Sequence, residues 1–431
     1  MPHLLPPRLP QKSNDFCYEH IVRTFAKDPI KMCTSTDYSI QCSGAKHSKN
    51  MAVCKLWGLA VRPKEMIGAY PTDVDNGSLS NFTVNLIGKT SCLGGTVAQL
   101  EKRIKSPVPT NLVKHIIKSP RLEESQCKKW IEKPVFLHVS NAVHIYFKLL
   151  DLYNVHKAAY DEGLSDGEYI VIRIGNLVKG KLKYMHEEFE ERLFGRSNLN
   201  LIEMAKVGIS TVCFRQAVLI PNAYASVPFR CKMESNTKAK CIDCAGEKDK
   251  AHPMVTFAER VRATCGLERR PKETNSTIVS LISRKPYRRW KGDEANTSFH
   301  RILVNEDQLV DALQSADKDL SLQVEVVHLE SMHICEQVVM AASTDILIGV
   351  HGAGLVHLWW LAKKHAALIE LEPRSQVANP SFRTLAALSG QKYVSVTAEK
   401  AQSKIGKEPV SVNPSKVISE VRKIVQAKRQ S

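Results

Sequence analysis

The spacing of apolar and polar positions changes character near residue 130. Residues 1–110 are irregular: rich in proline at the start, then polar and cysteine-containing, then "PTDVDNGSLSNFT" with its Pro and Asn-Gly punctuation. Beyond that point the pattern alternates. "PVFLHV" reads as a buried strand, "NAVHIYFKLLDLYNVHKAAY" as a helix and "EYIVIRIG" as a second buried strand. Such alternation predicts a βαβ layer. The polar "KMESNTKAKCIDCAGEKDK" at 232–250 reads as a linker or an inserted loop.

A second alternating block starts near residue 275. "STIVSLISR" is a strand, and "NEDQLVDALQSA" a helix with Asn305 as N-cap and acids in its first turn, where the dipole favours them. "LQVEVVHLE" follows as strand, "HICEQVVMAAS" as helix, "TDILIGV" as strand, "LVHLWWLAKKH" as helix and "AALIELEP" as strand. Apolar strands separated by helices predict a doubly wound parallel sheet. "NPSKVISEVRKIVQAKRQ" predicts a closing helix, with Asn413 as cap and Pro414 at its first position. Its apolar stripe of Val417, Val421, Ile424 and Val425 should pack back on the body. The expected organisation is an irregular, disulfide-prone cap over 1–129, a Rossmann-like domain over 130–245, a second over 246–400, and a C-terminal helix within 401–431.

Composition sets the scale. The 431 residues, 43% of them hydrophobic, are enough for two cores. A formal net charge of +17 favours an anionic partner: nucleic acid, an anionic membrane face or a phosphorylated small molecule. The basic residues are dispersed and no helix-turn-helix, zinc-finger or RNP aromatic motif is visible, so nucleic acid is not expected. No apolar run reaches the length of about 18 residues that a membrane span needs, and "MPHLLPPRLPQKSNDF" is too polar for a signal peptide or anchor.

The cysteines and sequons pull the other way. Of 12 cysteines, Cys17, Cys33, Cys42 and Cys54 share a short polar segment that folds poorly without crosslinks. Together with sequons at Asn76, Asn81, Asn275 and Asn296 they favour an oxidising lumen, endoplasmic reticulum or Golgi, which is expected to go with a leader missing from this sequence through truncation or an incomplete gene model. "CIDC" at 241–244 has no second pair at zinc spacing, so a disulfide or free thiols are expected there and no metal site.

The candidate chemistry sits in "TDILIGVHGAGLVHLWWL". The order strand, glycine loop, helix puts His351, Gly352, Ala353 and Gly354 at the carboxyl end of a sheet strand, where open α/β folds bind ligands. Bare backbone there lets anionic oxygens reach N–H groups and the positive end of a helix, so a diphosphate suits the place. Glu370 and Glu372 end the adjacent strand, from which a carboxylate can bond ribose hydroxyls. Arg284 follows a strand directly and Arg301 ends a basic loop; guanidinium forks suit diphosphate oxygens. The absence of Gly-Lys-Ser/Thr excludes a Walker loop, and the dinucleotide fingerprint lacks its third glycine, which leaves a nucleotide-sugar. The alternative is a tight turn with no ligand. Trp359 and Trp360 are expected to fill core or a domain interface.

These stretches, with "SRKPYRRW", "HRILVNEDQLVDAL", "CEQVVMAAS" and, further upstream, "CSGAKHSKNMAVCKLWGLAV" and "CFRQAVLIPNAYASVPFR", resemble glycosyltransferase family 61. The resemblance implies a GT-B-like α/β fold of two facing Rossmann-like doubly wound domains, with a UDP-sugar donor (UDP-GlcNAc or UDP-xylose) on the C-terminal one and a glycoprotein or N-glycan acceptor on the other. It implies inverting transfer, in which arginines and a helix N-terminus stabilise the leaving diphosphate without requiring a divalent metal. It also maps Arg284, Arg301 and residues 351–354 onto the donor site. In the first domain's helix the family pattern of His followed by an acid is replaced by Phe147 and Lys148, so His144 and Asp151, on one face of the same helix, are the candidates for the general base. A catalytically degenerate UDP- or glycan-binding protein is the alternative. "NAYASVPF" likewise carries Asn222 and Ala225 where the family pattern has glycines.

Overall fold

The computed structural model describes residues 30–31, 40–43, 53–61, 84–86, 127, 130–139, 145–174, 187–195, 198–199, 211–220, 223, 253–268, 276–284, 287–288, 297–298, 301–373, 381–400 and 409–430. His144, the Cys241 and Cys244 pair, and the sequon asparagines Asn76, Asn81, Asn275 and Asn296 lie outside the described residues.

The first sheet has 9 strands: β1 (Ile30–Lys31), β2 (Ile40–Ser43), β3 (Val53–Val61), β4 (Val84–Leu86), β5 (Trp130–Ile131), β6 (Val135–Val139), β7 (Ile170–Ile174), β8 (Asn198–Leu199) and β9 (Val212–Ile220). Its order is β1-β2-β3-β9-β6-β7-β8, with β4 on β3 and β5 on β9. Strands β9, β6, β7 and β8 run parallel, and the apolar "VFLHV" and "IVIRI" form β6 and β7 as their composition predicts. Helix α1 (Ile145–Asp161) makes the β6–β7 crossover, and α2 (Glu187–Phe194) follows β7.

Strands β1 to β4 correct the expectation that residues up to 110 are irregular. The nine residues of β3 pair antiparallel with β9, from Cys54 opposite Leu219 to Val61 opposite Val212. The ladder partner of β3 is remote in sequence, so the local pattern around it, broken by turn residues, does not reveal the pairing.

Helix α3 (Pro253–Thr264) leads to the second sheet. There the chain runs β10 (Thr277–Ile282), the small ribbon β11 (Tyr287–Arg288) and β12 (Thr297–Ser298), α4 (Glu306–Ser315), α5 (Asp317–Leu320), β13 (Leu322–Val327), α6 (Ile334–Ser343) and β14 (Ile346–Val350). A 3-10 helix (Ala353–Trp360), β15 (Ala367–Pro373), α7 (Ser381–Leu388), β16 (Lys392–Lys400), β17 (Val410–Ser411) and α8 (Pro414–Arg429) complete it. The order is β13-β10-β14-β15-β16-β17, with only β17 antiparallel. The chain leaves β10 for β13 on one side and returns to β14 on the other, so the direction of winding reverses between β10 and β14. In open sheets the crevice at the carboxyl ends of such a pair is where ligands bind.

Both faces of this sheet are covered. Helices α4 and α8 bury Leu309, Leu313, Val417, Val421, Ile424 and Val425 against Val279, Leu281, Ile346 and Ile348 on one face, as the C-terminal stripe predicts. On the other face α6, the 3-10 helix and α7 share one core with α1 of the first sheet and with α3. Tyr153 of α1, Phe257 of α3 and the stacked rings of Trp359 and Trp360 meet there, with centroids 5.1–6.0 Å apart. Trp359 also donates its Nε1–H to the Met254 carbonyl at 3.1 Å. Each such ring removes about 200 Å² from water, worth on the order of 5 kcal/mol as an upper bound. A disulfide joins Cys265, just past α3, to Cys335 in the first turn of α6; another joins Cys127 to Cys213 of β9.

Two local expectations are corrected. The helix expected over "LVHLWWLAKKH" is a 3-10 helix that starts earlier, at Ala353, and stops at Trp360. Residues 355–360 are all buried, so packing on every side sets its period, and Lys363 ends it by turning inward to the Asp345 carboxylate at 2.7 Å. Asn305 precedes α4 but makes no side-chain cap. Its amide instead pairs with the backbone of Val412, donating to the carbonyl at 2.7 Å and accepting from the N–H at 3.1 Å, because that peptide offers both groups at once. Asn413 caps α8 as expected, accepting from Ser415 N–H at 3.0 Å.

Candidate functional site

Strands β10 and β14 lie side by side, with Ile282 paired to Gly349, so the residues that follow them emerge together. From β10 comes Arg284; from β14 come His351 and Gly352. A β-carbon on Gly352 would stand 2.7 Å from Nη1 of Arg284, so the absent side chain is what admits the guanidinium to the loop. Gly354 serves a different purpose. A β-carbon there would meet Cδ1 of Leu329 at 2.8 Å, which makes it a glycine of close packing.

The first backbone bond of the 3-10 helix runs from Leu355 N–H to the Gly352 carbonyl at 3.0 Å. The amides of Gly352, Ala353 and Gly354 precede that ladder and have no acceptor within it, as at any helix start. They mark the positive end of the helix.

Arg301 reaches the same loop from a left-handed conformation, φ 60. A non-glycine residue there costs about 1 kcal/mol. The conformation turns its guanidinium onto the site, where Nη1 donates to the His351 carbonyl at 2.9 Å. Arg284, Arg301, His351, Gly352, Ala353 and Gly354 are therefore brought together.

His351 is buried, and its Nδ1 meets Oε1 of Glu370. Glu370 is fully buried on β15, and its Oε2 accepts from the Tyr393 hydroxyl at 2.8 Å. Burial, then the neighbouring Glu370 charge, holds the Tyr393 phenol well above its ordinary range, so it stays a donor. Glu372, on the same face of β15, accepts from Ser395 Oγ at 2.6 Å. The two carboxylates expected at a ribose thus bond within the fold, both to residues of β16.

The ring of Phe382 at the start of α7 lies against His351, centroids 5.2 Å apart, and against Tyr146 of α1, 5.6 Å apart. One side chain therefore connects the glycine loop to the first turn of α1. Asp151 sits deeper in α1, buried, and its Oδ1 accepts from the Ala223 N–H at 2.5 Å just beyond β9. Burial pushes its carboxyl up to about 8, against the opposing pull of Lys148 and the Ala223 amide. Lys148 makes a buried ion pair with Glu190 of α2.

Sequence reasoning missed Phe382, Tyr393 and Glu190. The signals were the amphipathic "SFRTLAAL" and the alternating "KYVSVTAEK", which form α7 and β16. Among the described residues no group of His, Cys, Asp and Glu gathers in a metal-ligand arrangement, and no helix is long and apolar enough to cross a membrane.

The Glycosyltransferase 61 profile matches residues 176–369, which include Arg284, Arg301 and the 351–354 loop. A β-1,2-xylosyltransferase of Oryza sativa subsp. japonica is 25% identical over 246 residues, 54% of this chain and 44% of that protein. One of Arabidopsis thaliana is 24% identical over 297 residues, 62% of this chain and 52% of that protein. The EGF domain-specific O-linked N-acetylglucosamine transferase of Canis lupus familiaris is 24% identical over 255 residues, 58% and 42% of the two chains. The chain spans about half the length of these relatives. By this match and by the residues it covers, residues 176–369 are similar to the Glycosyltransferase 61 family.

Proposed function

We propose that the protein is an inverting glycosyltransferase that moves GlcNAc or xylose from a UDP-sugar to a glycoprotein or N-glycan acceptor. The observation that carries this is the seating of Arg284 against Gly352 where the sheet's winding reverses, with Arg301 bonded to the same loop. The two arginines and the 352–354 amides would neutralise the donor diphosphate, with no divalent metal required. His351 would bond a phosphate or ribose oxygen. Of the two carboxylates assigned to the ribose, Glu372 lies nearer the strand end, while Glu370 acts from behind His351. The relatives' names supply the two candidate sugars.

The domains are proposed as 130–245, joined in its sheet by β1 to β4, for the acceptor and 246–400 for the donor, facing one another in GT-B fashion. In the reaction, a base takes the acceptor hydroxyl proton and the oxygen forms a bond to the anomeric carbon. The bond from that carbon to UDP breaks on the opposite face, and UDP leaves with the electron pair. His144 is the favoured base, because Asp151 is buried and occupied with Ala223. The disulfides Cys127–Cys213 and Cys265–Cys335 support residence in the lumen of the endoplasmic reticulum or Golgi.

A second reading, a UDP- or glycan-binding protein without transfer activity, is favoured by Lys148, whose charge is consumed by Glu190 where the family pattern has an acid. The deciding experiment is a screen of UDP-sugars for hydrolysis and for transfer to glycoprotein acceptors, with and without Mn²⁺. Turnover of UDP-GlcNAc or UDP-xylose is expected. Binding of UDP with no turnover of any donor would select the second reading, and no binding would remove both.

A further inference from the structure

Resting on that reading of the loop, we propose that Glu370 and Tyr393 are positioning residues that fix the ring orientation and tautomer of His351 toward the donor. Three contacts define the arrangement. Glu370 Oε1 meets Nδ1 of His351, Glu370 Oε2 accepts from Tyr393 at 2.8 Å, and Phe382 packs edge-on against the imidazole at 5.2 Å. A carboxylate accepts only, so Nδ1 carries a proton, and in a neutral ring Nε2, on the opposite edge, is the acceptor side. Tyr393 remains protonated, for the reasons given above, so its hydroxyl donates and fixes the second oxygen of Glu370. This removes rotation of the carboxylate, and with it the freedom of the ring.

Burial argues against a merely space-filling role. Glu370 is 0% exposed, and a lone carboxylate there would be strongly unfavourable without both partners. The strand register carries the design. Glu370 lies between Gly349 on β14 and Ser395 on β16, and His351 follows Gly349 two residues later. Orienting partners of ligating histidines act in this way at other sites, where their loss changes affinity by roughly ten- to hundredfold.

The test uses the full chain with UDP as probe, and reads affinity and the ¹⁵N shifts of the His351 ring in parallel. Glu370→Gln can accept from Nδ1 with its carbonyl and donate to Tyr393 with its amide. It should hold the Nδ1–H tautomer and bind UDP within about threefold of the parent, the scale of a small hydrogen-bond change. Glu370→Leu should mix the tautomers and lose roughly tenfold or more in affinity. Tyr393→Phe, milder for folding, should show a smaller loss in the same direction. An Nε2–H tautomer in the parent protein overturns the proposal, as does unchanged UDP affinity in both Glu370→Leu and Tyr393→Phe. Failure of the loop reading is separate: it shows as a parent protein that does not bind UDP at all, whatever its tautomer, and that result removes the donor-facing role as well.

Discussion

Arg284 occupies the space that a β-carbon on Gly352 would need, its Nη1 2.7 Å from that point. Gly352→Ala should therefore act as a lesion of Arg284. Loss of a charged hydrogen bond is worth about 1.5–3 kcal/mol, so both Gly352→Ala and Arg284→Ala are expected to weaken UDP by roughly ten- to hundredfold. The fold should survive, because the atom displaced ends a long flexible side chain. Calorimetric titration with UDP decides the matter; full affinity in Gly352→Ala would show that the guanidinium is not needed where it lies.

Arg301 separates stability from binding. Its left-handed backbone disfavours any L residue by about 1 kcal/mol. Arg301→Gly should thus be more stable than Arg301→Ala by about that amount, measured by urea unfolding. Both lose the bond to the His351 carbonyl and should lose UDP affinity equally. If the alanine variant binds as the parent does, Arg301 has no part in the site.

Asp151 is raised to about 8 in the fold from 3.8. Below the lower value it is protonated whether folded or not. As pH rises through the window the unfolded chain ionises while the fold keeps its proton, so stability is lost up to the folded value. Asp151→Asn retains an acceptor for the Ala223 N–H and lacks this titration, so its stability advantage should grow from about pH 4 to about pH 8. It should keep transfer activity if His144 is the base, and His144→Ala should abolish it. Complete inactivity of a stable Asp151→Asn would reassign the base to Asp151.

His156 and His357 act with the opposite sign. Burial lowers both to about 3 from 6.5; in His156 the charge of Arg260 adds to it. Their contribution is whole above the unfolded value and disappears as pH falls through the window, because only the unfolded chain takes up the protons. Replacing His357, whose ring nitrogens have no hydrogen-bond partner among the described residues, by Phe should flatten the acid limb of a melting-temperature profile. An unchanged limb would mean that ring is protonated inside the fold.

The parallel sheet was legible because its strands are buried on both faces and read as unbroken apolar runs, as in "TDILIGV" and "AALIELEP". The loop between them was legible for the same reason: glycines stand out at the end of such a run. What stayed hidden depends on partners far apart in the chain. Nothing near Glu370 in sequence announces Tyr393 or His351, because the β14–β15–β16 register supplies those contacts. The 3-10 period of residues 353–360 was likewise invisible, since a uniformly apolar stretch has no face from which to read a repeat. Asn305 satisfied every local rule for a cap and still took a better partner in Val412.

The aromatic cluster of Tyr153, Phe257, Trp359 and Trp360 draws on both sheets. Neither half could be expressed alone without leaving a broad oily surface in water. The two should therefore denature in a single transition, and capture of the donor should rely on movement of side chains and loops rather than on wide opening about a hinge.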